Sequence, residues 1–117
     1  VPIAVLQVLN AFAATISTVS SLLVVFQPRI MSKSQEISTG ERFFAQMYAA
    51  RAVPFGIVTA VIPFVAASDV ATVRLVLMAA MAVQIVDAGI GIRRREVPMV
   101  IGPSIAAIVH GLTAWLI

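Results

Sequence analysis

The chain has 117 residues, 61% of them hydrophobic and 11% charged, with a mean hydropathy of +1.05. Soluble domains carry about 25% charged residues, so a water-facing exterior is excluded and the bilayer is the natural solvent. The net charge of +3 forms no nucleic-acid stripe, because the basic residues sit in two short stretches between apolar runs; cysteine is absent, which removes disulfides and thiolate chemistry.

Residues 1–28 contain no charged side chain. A spanning helix needs about 20 apolar residues, so a first helix is predicted over about 1–27, ended by Pro28. A signal peptide would have a basic leading region and a shorter apolar core. No Lys or Arg precedes Arg29, so a retained helix is expected. Residues 28–42 form a polar connector with Arg29, Lys33 and Arg42. Within it, Ser38 and Glu41 make an S-x-x-E capping box, which opens a second helix over about 40–67. This helix carries Arg51 mid-span, and Pro54 and Pro63 are tolerable in lipid where neighbours re-satisfy the backbone. Ser68 or Asp69 caps a third helix over about 70–93, which carries Asp87 and closes on Arg93, Arg94 and Arg95, at the end where cations are favoured. Pro98 suits the first turn of a fourth helix over about 97–117.

The expected fold is therefore all-α: one transmembrane domain over 1–117, a four-helix bundle with up-down topology. Short connectors predict that consecutive helices pack antiparallel. Small residues at four-residue spacing, Ser17/Ser21, Gly56/Ala60 and Gly102/Ala106, allow close approach in lipid. The basic residues place connectors 28–42 and 93–97 in the cytoplasm and both termini outside, in a multi-pass protein of the inner (plasma) membrane.

A charge at the bilayer centre costs at least about 2.5–3.5 kcal/mol and tends to serve a purpose. Arg51, Asp87 and His110 are the candidate ionisable groups deep inside the spans, away from their ends. Counting about 1.5 Å per residue from the basic edge puts Arg51 roughly 13 Å deep, Asp87 about 9 Å and His110 about 20 Å. An Arg51–Asp87 ion pair joining the second and third helices is expected. Gln84 lies one turn from Asp87 on the same face, and Tyr48 lies one turn from Arg51. With Thr18, Thr15 and Asn10 on the first helix, these residues predict a polar column from Arg51/Asp87 to His110. No zinc or phosphate-binding motif occurs, one histidine cannot build a His-rich metal site, and no cofactor is called for, although a quinone would suit the column.

Two families of similar size fit poorly. The first helix lacks the acid of small multidrug resistance transporters, and the Pro-x-Glu-Glu-type motif of small heterodimeric lycopene cyclases is missing. Arg51-Ala52-Val53-Pro54-Phe55-Gly56, Val83-Gln84-Ile85-Val86-Asp87-Ala88-Gly89 and Ala106-Ala107 with His110 resemble the second, third and closing helices of the DoxX-like group of small four-helix membrane proteins. The resemblance covers roughly residues 40–117 and implies that Arg51, Asp87 and His110 are the special positions. Some members are associated with quinol or thiosulfate oxidation.

The expected function is an intramembrane polar site that binds an apolar small molecule: a quinone, an isoprenoid or a polyketide-like compound. Turnover stays open. Acid–base isomerisation, cyclisation or hydrolysis would use His110 to exchange protons near neutral pH, Asp87 as base and Arg51 to hold it ionised, with Gln84 and Tyr48 orienting the ligand. The alternatives are a purely structural Arg51–Asp87 clamp in an accessory subunit of a larger membrane complex or homo-oligomer, and a small proton-coupled transporter.

Overall fold

The computed structural model describes the backbone of residues 1–117 and the side chains of all but residues 31 and 32. Five helices follow one another: α1 (Ile3–Phe26), α2 (Arg29–Ser32), α3 (Thr39–Val65), α4 (Val70–Arg94) and α5 (Val97–Leu116). Four of them, all but the single turn α2, are long and apolar enough to cross a membrane. The longest molecular dimension, 48 Å, matches the roughly 40–45 Å of a bilayer with its headgroups. The chain is a multi-pass membrane protein built as an all-α four-helix bundle. Only α2, inside the first polar connector, lies outside the helices expected from sequence.

Local chemistry explains the boundaries. Pro28 ends α1, since the residue before a proline leaves the helical region, and Gln27 has φ −135°. The Ser38/Glu41 capping box is formed, with the Glu41 amide donating to Ser38 Oγ at 3.1 Å. At the other end of the molecule Asp69 caps α4, accepting from the Thr72 hydroxyl at 2.6 Å and the Thr72 amide at 3.2 Å. These bonds, the hydroxyl's first and the amide's second, hold the Asp69 carboxyl below its usual range. A depressed carboxylate contributes stability above its unfolded value of about 3.9, and that contribution is lost as pH falls through the folded value. Asp69→Ala is therefore expected to speed amide exchange at Thr72 at pH 7. Below pH 3 the difference from wild type should shrink; an undiminished difference there would rule out the charged cap.

The α4–α5 turn is a Schellman motif. Arg95 sits in the left-handed region at φ 56°, its amide donates to Ile92 O at 3.1 Å, and the Glu96 amide donates to Gly91 O at 3.0 Å. The turn is so tight that a Cβ on Gly91 would meet the carbonyl carbon and oxygen of Met99 at 2.7 Å.

Packing is unequal. α1 lies along α3, α4 lies along α5, and α1 meets α5, while α3 and α4 touch little although they are consecutive. The bundle is thus two antiparallel hairpins joined along α1–α5. Near the short connector at residues 66–69, Ile62 of α3 joins Val73 and Leu77 of α4 and Ala114 of α5 in a buried cluster. At that same end the Arg74 Nε–H donates to Ala114 O at 3.0 Å, satisfying a carbonyl in the last turn of α5. Away from that end α3 and α4 part. The helix interfaces use small residues: Ala14, Ser21, Ala45, Ala49, Ala80 and Ala106 are buried, while Phe12, Phe44, Leu75 and Trp115 are exposed. Lipid tails are as apolar as leucine, so close backbone packing, not burial of large side chains, holds such helices together. Gly56 shows it, lying so close to α1 that a Cβ there would strike Thr18. Gly102 has open space around its Cβ position, so the expected Gly102/Ala106 approach does not use that glycine.

Candidate functional site

The site begins with a missing amide. Pro63 lacks an N–H, so the carbonyl four residues earlier, on Thr59, loses its helical donor. Asn10 of α1 replaces it, with Nδ2 donating to Thr59 O at 2.8 Å. Asn10 is fully buried, so it has no water to fall back on. With its nitrogen committed, Oδ1 faces His110 Nδ1 of α5 at 2.7 Å. An amide oxygen only accepts, so His110 Nδ1 carries the proton and donates. Neutral His110 then keeps an acceptor lone pair on Nε2. One turn further out, Gln7 Nε2 donates to Pro63 O at 2.8 Å, a carbonyl left over in the last turn of α3.

Beside this relay is a cavity of about 60 Å³. Tyr48, Gln84, Asp87 and His110 line it, with Ser17 and Phe55 among its walls. Gln84 Nε2 donates to Ser17 Oγ at 3.0 Å, tying α4 to α1. Asp87 makes no hydrogen bond or ion pair among the described residues and is half-buried, on the side of α4 that faces the gap to α3. A larger cavity of about 510 Å³ lies toward the basic end, between Val24, Phe44 and Ala45, with Ser38, Glu41 and Arg94 at its polar margin. Tyr48 lines both cavities. Glu96 lies near Lys33 and Arg94, at 3.9 Å from each, so the two basic connectors share one end of the bundle. Among the described residues no cluster of three or more His, Asp or Glu side chains could hold a metal.

The structure brings together Tyr48, Gln84, Asp87 and His110 from the expected column. It does not bring in Arg51. That side chain is exposed, its Nη1 donates to Met47 O of its own helix at 3.2 Å, and the expected Arg51–Asp87 pair is not formed. Depth along two helices gives the height of each charge but not its azimuth, and α3 and α4 part at this level. Helical side chains lean toward the N-terminus, here the basic end, so Arg51 snorkels along α3 toward the headgroups. Thr15 and Thr18 bond the carbonyls of Ala11 and Ala14 four residues back, at 2.7 and 2.8 Å, which is the local alternative open to any helical threonine. Neither lines the cavity. Asn10 acts behind His110, as a positioning residue. Sequence reasoning missed Ser17, Phe55 and Thr59; the proline at position 63 was the available signal for Thr59.

Since Arg51 has no partner on another helix among the described residues, Arg51→Gln is expected to change unfolding stability by no more than about 0.5 kcal/mol. A loss of several times that on a detergent denaturation curve would reinstate an interhelical role.

Compared with known proteins, the chain matches no family model, no curated protein and no solved structure.

Proposed function

We propose that this membrane protein binds a lipophilic small molecule between α3 and α4, such as a quinone, an isoprenoid or a polyketide-like compound. Its polar end would sit at Tyr48, Gln84, Asp87 and His110. The observation that carries this reading is the sharing of Tyr48 by an apolar groove and a small cavity that also holds Gln84, Asp87 and His110. A groove of about 510 Å³ lies within the roughly 300–1,000 Å³ of ordinary small-molecule sites. The gap between α3 and α4 gives a lateral way in from the bilayer, so the ligand need not cross water. Ionisable side chains inside a membrane span are themselves a functional signal. Acid–base chemistry on the ligand would fall to Asp87, as base, and His110, whose tautomer is held by Asn10; Arg51 drops out of that role. The DoxX-like resemblance points to the same Asp87 and His110. By the basic-residue rule, connectors 28–42 and 93–97 face the cytoplasm and both termini face outward.

A second reading, an accessory subunit or homo-oligomer, is favoured by Arg51, an exposed charge within a span whose cost a partner chain's acid would offset.

The test is native mass spectrometry of protein released from nanodiscs, wild type against Asp87→Asn. A bound apolar metabolite in wild type, depleted at least tenfold in the variant, is the expected result. A partner chain retained in both samples, with no small molecule in either, would replace this reading with the second.

A further inference from the structure

We propose that the inner cavity selects ligands that donate a hydrogen bond: it takes the hydroxyl of a lipophilic alcohol or phenol in preference to the corresponding ether or ketone. This rests on the lipophile-binding reading above and specifies the chemistry at its polar end.

The selectivity follows from hydrogen-bond roles already assigned on other helices. Pro63 removes an amide N–H, Thr59 O accepts from Asn10 Nδ2 in its place, and Asn10 Oδ1 accepts from the His110 Nδ1–H. Each step leaves the next atom one role. At the end stands His110 Nε2, an acceptor with no hydrogen bond from the described residues; it is not among the sealed, partnerless polar atoms. The open space that His110 lines is the cavity. The Asp87 carboxylate, when ionised, also only accepts. Gln84 gives one of its two amide N–H groups to Ser17 and keeps the other, together with its oxygen. The Tyr48 hydroxyl rotates to either role. A ligand hydroxyl would satisfy the lone pair on His110 Nε2, which an ether or carbonyl oxygen cannot do even where Tyr48 or Gln84 donates to it. The cavity, at about 60 Å³, admits a polar tip, and the larger apolar groove holds the remainder.

The chain has one histidine, so a ¹⁵N-histidine-labelled sample reports on this site alone. The experiment titrates the full chain in nanodiscs with 4-hexylphenol and, separately, with its methyl ether 4-hexylanisole, following both ring nitrogens. The expected result is that the phenol moves the Nε2 resonance, leaves Nδ1 in place and binds about tenfold tighter than the ether, the effect of one hydrogen bond made or left unmade in a buried site. In Asp87→Asn, which puts a donor into the cavity, that preference should narrow. Equal binding of the two probes would overturn the donor selectivity while leaving the lipophile site standing. An unprotonated Nδ1 in the free protein would overturn the relay from which it is derived. Binding of neither probe would overturn both the selectivity and the site.

Discussion

Asn10→Leu is expected to destabilise the bundle by about 2–6 kcal/mol, because two buried polar groups lose their partners and each stranded group costs about 1–3 kcal/mol. Leucine has nearly the shape of asparagine, so the loss reports on hydrogen bonding more than on packing. The carbonyl of Thr59 would be left with no donor, since Pro63 offers none, and the proton on His110 Nδ1 would be left with no acceptor. The distinctive part is the rescue. Pro63→Ala restores an N–H four residues after Thr59. In the Asn10→Leu background it should recover about 1–3 kcal/mol that it does not provide alone. A double-mutant cycle from detergent unfolding isolates that coupling. Strict additivity of the two changes would show that Asn10 does not stand in for the missing amide.

Two glycines on α4 should respond in opposite directions. Gly89 has nothing within 4 Å of its Cβ position, and Gly91 has backbone atoms of Met99 at 2.7 Å. Alanine is the better helix former by about 1 kcal/mol, so Gly89→Ala should be neutral or stabilising. Gly91→Ala should cost about 1–3 kcal/mol, in the range of overpacked sites, because a backbone carbonyl cannot rotate aside as a side chain can. The first turn of α5 would have to move, and the Schellman hydrogen bonds of Arg95 and Glu96 with it. Hydrogen exchange at Glu96, whose amide donates to Gly91 O, locates the damage. Equal melting temperatures for the two variants would refute the close approach of α4 and α5.

The four spans were legible because length and apolarity alone define them, and the Ser38/Glu41 and Asp69 caps because each needs only residues three apart. The single turn Arg29–Ser32 was not, being too short to leave a periodic trace. Depth counting drew Tyr48, Gln84, Asp87 and His110 into one column, and the four line one cavity. It failed for Arg51, where azimuth decides the outcome: about 100° per residue sets Arg51 some 60° around α3 from Tyr48, and Arg51 lines neither cavity. It also failed for Thr15 and Thr18, where a carbonyl on the same helix competes with any partner across the interface. Neighbourhood was the larger gap. Consecutive helices were expected to pack together, and α3 and α4 mostly do not.

The Asn10–His110 bond joins residues 100 positions apart. A ribosome delivers α1 long before α5, so through most of synthesis Asn10 lacks the histidine that completes its hydrogen bonding, even after α3 has arrived with Thr59. The α1–α3 hairpin can form early and wait, with a polar amide edge exposed to lipid, until the fourth spanning helix docks and covers it. Such an edge is a recognisable mark of an unfinished bundle.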